Sequence, residues 1–140
     1  MTTKEYLQQA IDIQDEIRIK TDEIERLRAL TNKIIGVLVA DRVQGGTQPD
    51  SMRYSDEIVM LKIDVEKLVI KLAALKRQIR TQIEGMSNPT YRKLLEMLYI
   101  NGMNLVEAAG ILRYGYEWTC RLHGKALLEF AEQNHIGAAI

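Results

Sequence analysis

The sequence predicts an all-α protein, in which a long antiparallel helical hairpin is followed by three short helices. Helix breakers are few and bunched, with two prolines and nine glycines among 140 residues. Apolar residues recur at spacings of three and four over two long stretches, the period of an amphipathic helix. No run of alternating apolar and β-branched residues indicates a strand.

The first hairpin helix is predicted from about residue 3 to residue 40. Its apolar residues follow a heptad repeat, which is the pattern of a coiled-coil seam, and its other faces are rich in charge. The seam consists of Ala10, Ile13, Ile17, Lys20, Ile24, Leu27, Thr31, Ile34 and Leu38. Lys20 is interpreted either as a polar residue that sets the register or as a snorkelling side chain.

A loop is predicted over about residues 41–54, where two glycines and one proline fall close together. The second helix is predicted from about Ser55 to Glu84, with Asp50 or Ser55 as its N-cap. Its seam is Ile58, Leu61, Val65, Leu68, Leu72, Leu75, Ile79 and Gln82. Two such stripes joined by one loop are expected to bury each other as an antiparallel coiled coil, so residues 1–86 are predicted to form a hairpin domain.

Further apolar residues lie off this seam on the second helix: Ile63, Val69, Ile70 and Ala73. They predict a second buried face, covered either by the C-terminal helices or by a second copy of the chain. We expect a homodimer formed through the helical hairpin, with a long monomeric hairpin as the alternative.

Residues 87–140 are predicted to form a second domain, because Gly85 suits a helix C-terminus and Pro89 suits the start of another helix. The spacing predicts three helices over about residues 90–100, 104–112 and 116–134. Asn104 and Glu107 have the spacing of a capping box at the start of the middle helix.

The last two helices are joined by a turn of three residues, 113–115, so small residues are needed where they cross. Ala108, Ala109 and Gly110 supply them. The residues predicted to fill the space between the helices are Leu112, Tyr114, Thr119, Leu122, Ala126 and Phe130. This is the packing of a helix-turn-helix, whose second helix presents its outward residues to the DNA major groove.

The DNA-contacting residues are therefore predicted to be Tyr116, Glu117, Trp118, Cys120, Arg121 and Lys125. Arg121 is suited to a guanine edge or a phosphate, and Lys125 to a phosphate. Glu117 is suited to a cytosine amino group, or alternatively to an ion pair with Arg121. Trp118 is expected either at the edge of the core or exposed to DNA or polymerase.

Residues 112–127, which close with Lys125-Ala126-Leu127, resemble the end of region 4 of sigma-70-type factors. The upstream Glu107-Ala108-Ala109 is similar to the Glu-Ile-Ala signature of that family. In layout the whole chain resembles small phage and prophage proteins with a coiled-coil front half, whose Asp-Arg-Val-Gln element is matched by Asp41-Arg42-Val43-Gln44. More loosely, it is similar to phage late-gene regulators of the ArpU and RinA type.

The chain departs from the sigma pattern in its turn. Arg113 stands where that family has a glycine, so the turn either avoids the left-handed conformation or is strained there. Gly115 stands where that family has a capping Ser or Thr, and Thr119 where it has a branched apolar residue.

The resemblance implies a DNA-binding transcriptional regulator of phage or prophage genes, acting at promoters together with host RNA polymerase. The implied partners are double-stranded promoter DNA and that polymerase. The alternative is a non-enzymatic interaction module that binds a polymerase subunit or a phage protein without reading DNA. Charge favours the alternative, because residues 87–140 carry five basic and five acidic residues, whereas nucleic-acid binders usually have a basic surplus.

No pattern in the sequence is typical of an enzyme: Gly-rich phosphate loops and sets of nucleophile plus base are absent, and no cofactor is expected. Cys120 and His123 have the spacing of metal ligands, but no second Cys or His pair accompanies them, so no metal is expected. No apolar run is long enough to span a bilayer, and no signal peptide is evident. A single cysteine fits a reducing compartment, which predicts the cytoplasm of a bacterial host.

Overall fold

The computed structural model describes the backbone of residues 1–41 and 49–136, and the side chains of residues 1–36 and 52–136. This part of the chain is all-helical and contains no strand, which confirms the all-α class that the sequence predicts. The α-helices are α1 (Thr3–Asp41), α2 (Pro49–Glu84), α3 (Pro89–Leu95), α4 (Leu105–Leu112) and α5 (Tyr116–Gln133). A π-helical turn, Glu96–Ile100, continues α3. No helix among these residues is long and apolar enough to cross a membrane.

The loop predicted over about residues 41–54 is wrong for residues 49–54, because α2 already begins at Pro49. Proline is favoured in the first turn of a helix, where its fixed φ suits the helix and its missing N–H would have no partner. Asp50 and Ser55 lie inside α2 and are therefore not its N-cap. Residues 42–44 of the Asp41–Gln44 element lie outside the described residues.

The chain divides into two compact units, one of residues 1–13 and 72–140 and the other of residues 14–71. Each unit has its own apolar cluster. The domain boundary predicted after residue 86 stays a prediction, because it concerns whether residues 87–140 fold on their own.

In the unit of residues 14–71, α1 and α2 run antiparallel. Lys20 lies beside Leu68, whereas Ile24 and Leu27, farther along α1, pack with Ile58, which is earlier in α2. The last three are between 5% and 8% exposed. Half-buried side chains extend this cluster: Tyr54, Leu61 and Val65. The predicted seam is confirmed here for Ile24, Leu27, Ile58, Leu61 and Val65, which belong to this cluster. The side chain of Leu38, also predicted in the seam, lies outside the described residues.

The second apolar face predicted on α2 is open to solvent. Ile63 is 43% exposed, Val69 48% and Ile70 71%. Ala73, in the other unit, is exposed as well. The single chain therefore leaves the off-seam residues of α2 uncovered.

Phe130 lies at the centre of the core of the other unit, and its side chain is fully buried. Its ring centroid is 6.2 Å from that of Tyr6, near the start of α1. The Tyr6 hydroxyl donates to Gln82 Oε1 at 2.7 Å and accepts from Gln78 Nε2 at 2.9 Å. The ring of this tyrosine is thus in apolar surroundings while its polar end is satisfied by α2.

Glu129 of α5 fixes the connection between α2 and α3. Its Oε1 accepts the backbone N–H of Ser87 at 3.1 Å and that of Asn88 at 3.3 Å, together with the Ser87 hydroxyl at 3.1 Å. Asn88 is in turn the N-cap of α3 and accepts two backbone N–H groups. Gln133 of α5 donates to the carbonyl of Gly85. Side chains of α5 therefore determine where α2 ends and α3 begins.

The π-helical turn is a feature that the sequence pattern did not predict. The N–H of Asn101 donates to the carbonyl of Glu96 at 3.0 Å, five residues back instead of four. Four consecutive side chains are buried here: Met97, Leu98, Tyr99 and Ile100. On a regular α-helix four successive residues point around most of the circumference, so a locally widened turn accompanies the burial of all four.

Replacing Phe130 by alanine tests the importance of this core. We expect Phe130→Ala to lower the free energy of unfolding by about 3–5 kcal/mol, because it removes a fully buried aromatic ring and leaves a cavity. Leu128→Ala is the matched control on the same helix, because Leu128 is 52% exposed, and it should change the value by about 0.5 kcal/mol or less. Urea unfolding followed by circular dichroism measures both, and equal effects would contradict the assignment.

Candidate nucleic-acid interface

α4 begins at the predicted capping box, which the structure confirms. Asn104 Oδ1 accepts the N–H of Glu107 at 2.8 Å, and the Glu107 carboxylate accepts the N–H of Asn104 at 3.4 Å. Ala108 and Ala109 are buried, as expected where two helices cross. Gly110 does not share this role, because a Cβ added to it would meet no atom within 4 Å.

Of the two possibilities expected for the turn between α4 and α5, the structure shows the one with backbone strain at Arg113. Arg113 has φ 60° and ψ 38°, the left-handed conformation. The N–H of Tyr114 donates to the carbonyl of Ala109, and that of Arg113 to the carbonyl of Gly110, which is the hydrogen-bond pattern of a Schellman motif. A residue with a Cβ costs roughly 1–2 kcal/mol in this conformation.

The space between α4 and α5 is filled from α5. Thr119 is fully buried there, and its hydroxyl donates to the carbonyl of Gly115 at 2.9 Å. Because this hydrogen bond satisfies the hydroxyl within its own helix, a threonine fits where a branched apolar residue is usual. Tyr114, also predicted to fill this space, is 43% exposed, so that prediction is wrong.

The N-terminus of α5 has no side-chain cap. Gly115 occupies the N-cap position in an extended conformation and offers no side-chain acceptor. The first N–H groups of a helix have no partner inside the helix, so they are available here to an external acceptor. The N-terminus of α5 is also the positive end of the helix dipole, which favours an anion such as phosphate.

Four of the six predicted DNA-contacting residues share one exposed side of α5, which we call the α5 face: Glu117, Trp118, Arg121 and Lys125. Trp118 is 45% exposed, which decides against a position at the edge of the core. The Lys125 ammonium lies 5.5 Å from the centre of the Trp118 ring, within range of a cation–π interaction.

Tyr116 and Cys120 lie on a different side of α5 from Arg121. Tyr116 is 54% exposed and Cys120 is half-buried. A hydrogen bond to the Cys120 side chain, together with the charge of that side chain, raises the pKa of the Tyr116 hydroxyl. These two residues contact each other and lie next to Glu117, on the side of the α5 face away from Trp118 and Lys125.

The charge of the α5 face differs from the neutral balance of residues 87–140. Glu107 and Glu129 are engaged in hydrogen bonds that hold helix termini. Glu117 and Arg121, whose side chains the structure describes, do not form with each other the ion pair that was the alternative prediction. The four residues of the α5 face carry two cations and one carboxylate, and Glu132 is exposed on the same side of α5, two turns beyond Lys125.

A buried polar pair anchors the opposite side of α5. The Tyr99 hydroxyl lies 2.7 Å from His123 Nε2. Burial raises the pKa of Tyr99 to about 12, so the hydroxyl in this hydrogen bond stays protonated. Burial, followed by the charge of Lys4, lowers the pKa of His123 below its usual 6.5. Both side chains line an open cavity of about 210 Å³.

The sequence pattern did not identify this pair, because Tyr99 and His123 are 24 residues apart and belong to different helices. The only local signal was the run of four apolar residues at 97–100, which a regular helix does not bury on one side. His123 turns toward Tyr99 while Cys120 contacts Tyr116, so the two residues with ligand-like spacing have separate partners. In the described part of the chain, no three His, Cys, Asp or Glu side chains are grouped to hold a metal ion.

One family model matches the chain, and its description is "Protein of unknown function (DUF1492)". The match runs over residues 33–116, which is more than half of the 140 residues. It ends at the first residue of α5, so the whole α5 face lies beyond it. No curated protein and no solved structure matches the chain.

The buried histidine gives the protein a defined pH dependence. Because the folded-state pKa of His123 is lowered, the unfolded chain binds the additional proton first, and the free energy of unfolding should fall as the pH drops below 6.5. In His123→Gln this part of the decrease between pH 7 and pH 5.5 should be absent. His135→Gln is the matched control, because His135 is exposed, and it should behave like the wild type. Identical pH profiles for His123→Gln and the wild type in chemical unfolding would contradict the expectation.

The strained turn is tested by Arg113→Gly. We expect this change to raise the free energy of unfolding by up to about 1 kcal/mol, because glycine adopts the left-handed conformation without a Cβ clash. Arg121→Gly serves as the control inside α5 and should lower the value by about 1 kcal/mol. A decrease in stability for Arg113→Gly, measured by urea unfolding, would show that the side chain contributes more than its conformation costs.

Proposed function

We propose that this chain, which belongs to the DUF1492 family of proteins of unknown function, is a DNA-binding transcriptional regulator of phage or prophage genes. In this proposal α4 and α5 form a helix-turn-helix of the sigma region 4 type. The observation that carries it is the α5 face, where Trp118, Arg121 and Lys125 project from a helix whose other side is held in a core.

The anchoring of α5 supports a reading role. Leu122, Ala126 and Phe130 bury one side of the helix, and each is at most 8% exposed. Glu129 and His123 add hydrogen bonds to two other segments of the same unit. A helix fixed in this way presents its opposite side with little freedom, and base recognition requires side chains held within fractions of an ångström.

Each residue of the α5 face has a chemical role in this proposal. Arg121 donates to a guanine edge or a phosphate, and Glu117 accepts from a cytosine amino group. Lys125 exchanges its interaction with Trp118 for a phosphate, and the ring of Trp118 then packs against sugar or base edges. The uncapped N–H groups at the start of α5 bind a phosphate oxygen.

The small number of cations limits the affinity of one chain for DNA. Sequence-independent affinity grows with the number of phosphates neutralised, and Arg113, Arg121 and Lys125 are the basic residues of the turn and of α5. We therefore propose that promoter binding takes place together with host RNA polymerase, in the cytoplasm of the bacterial host. The protein acts without catalysis in this role.

A second candidate function is supported by an apolar surface on and beside α4. Val106 is 68% exposed, Ile111 56% and Tyr114 43%. Ile111 and Tyr114, with Pro89 and Lys93, line a cleft of about 250 Å³. Exposed apolar side chains next to a cleft are typical of protein-binding surfaces, so the second candidate is a non-enzymatic module that binds a polymerase subunit or a phage protein without reading DNA.

Salt-dependent DNA binding tests the first candidate. With host promoter fragments, we expect Arg121→Ala and Lys125→Ala each to weaken binding by about 1–3 kcal/mol. The slope of log affinity against log salt should fall by about 1 for each phosphate that the variant no longer neutralises. Arg28→Ala, an exposed arginine on α1, is the control and should leave both quantities unchanged.

The same preparations distinguish the two candidates. If the reading role is correct, the alanine variants no longer bind promoter fragments tightly, while binding of purified RNA polymerase is retained. No DNA binding by the wild type at low salt, combined with polymerase binding that Ile111→Ser abolishes, would reject the DNA-reading role and support the interaction module.

A further inference from the structure

We propose that the exposed apolar side of α2 is the surface on which two copies of this chain associate, with the two α2 helices antiparallel. This outer face of α2 consists of Val59, Met60, Ile63 and Ile70. The proposal concerns assembly and stands independently of DNA binding.

The large apolar side chains of this face are exposed to solvent in the single chain. Ile70 is 71% exposed, Met60 63% and Val59 55%, within one continuous helix. Helices with one packed side normally carry charged residues on the other side. A row of large apolar side chains in water is unfavourable, and such patches on monomers usually mark an interaction site.

Residues of the outer face of α2 also recur with the period of a coiled-coil seam. Val59, Ile63, Glu66 and Ile70 follow spacings of four, three and four, which is a heptad seam. The residues of α2 that pack with α1, such as Ile58 and Leu61, belong to a separate seam on the other side of the helix. α2 therefore has two seams suited to helix partners, and α1 occupies one of them.

The distribution of charge along α2 favours a second copy of α2 as the binding partner. It also favours an antiparallel arrangement of the two helices. Residues 52–66 hold four acidic and two basic residues, a net charge of −2, and residues 67–84 hold five basic and one acidic residue, a net charge of +4. Parallel association would place segments of like charge side by side. Antiparallel association places the acidic segment of each helix against the basic segment of its partner.

The register follows from the centre of this charge reversal, which lies between Glu66 and Lys67. A twofold axis at this point sets Ile63 of one copy opposite Ile70 of the other, and Glu66 beside Lys67. Because a twofold interface is isologous, each of these pairings occurs twice. The two isoleucine pairs bury side chains that a single chain leaves 43% and 71% exposed.

Sedimentation of the full chain tests the association. At tens of micromolar the wild type should have twice the 16.0 kDa mass of one chain, and Ile70→Glu should have the mass of a single chain. Circular dichroism should be unchanged, because the replaced side chain is exposed. Ile19→Glu is the matched control: Ile19 is 60% exposed on α1, outside the proposed face, so this variant should remain dimeric. A monomeric wild type, or a dimer that only Ile19→Glu dissociates, would overturn the proposal.

Cysteine cross-linking in a Cys120→Ser background tests the direction. A chain with Ile63→Cys, mixed with a chain carrying Ile70→Cys, should form a disulfide-linked pair under mild oxidation, because the two positions face each other within disulfide range. Efficient linking of Ile63→Cys to itself would indicate parallel helices and overturn the antiparallel register.

Charge reversal gives a test that leaves the apolar residues in place. Glu66→Lys should raise the dimer dissociation constant roughly fivefold, because two attractive pairs become repulsive. Adding Lys67→Glu in the same chain should restore the wild-type value, because each pair is then re-formed with the charges exchanged. A double variant as weak as the single variant would overturn the proposed pairing.

Discussion

The burial of one side of α5 around Phe130 is the constraint on which the rest of this unit depends. The core brings together the start of α1, the end of α2, α3 with its π turn, and α5. Once Phe130 and its apolar neighbours occupy that core, the opposite side of α5 must face solvent. The α5 face is therefore a consequence of packing: Glu117, Arg121 and Lys125 are exposed because α5 turns its other side inward.

Hydrogen bonds define this arrangement more closely than apolar burial does. Glu129 accepts hydrogen bonds from the α2–α3 connection, and Tyr99 in the π turn forms a hydrogen bond with His123. Apolar packing tolerates small shifts, whereas buried or half-buried hydrogen bonds require particular distances and directions. These interactions hold α5 from two sides, and the Schellman turn at Arg113 then joins it to α4 within three residues.

Charge distribution matters more here than net charge. Although the whole chain is neutral, the four residues of the α5 face carry two cations and one carboxylate, and Glu132 follows farther along the same side of α5. α2 likewise combines an acidic first half with a basic second half. In both helices the arrangement of charges along one face, which composition does not reveal, determines what kind of partner the surface fits.

The sequence by itself determined the all-α class, the bounds of α4 and α5 to within one residue, the seam residues Ile24, Leu27 and Ile58, and the capping box at Asn104. These follow from local rules, because helical periodicity and capping depend on residues only a few positions apart. Tertiary structure alone decided the left-handed Arg113, the exposure of Tyr114 and the Tyr99–His123 pair. Each depends either on residues distant in sequence or on a strained backbone conformation that local preference disfavours. The energetic cost of such a feature is compensated only by the contacts that form when the core is assembled.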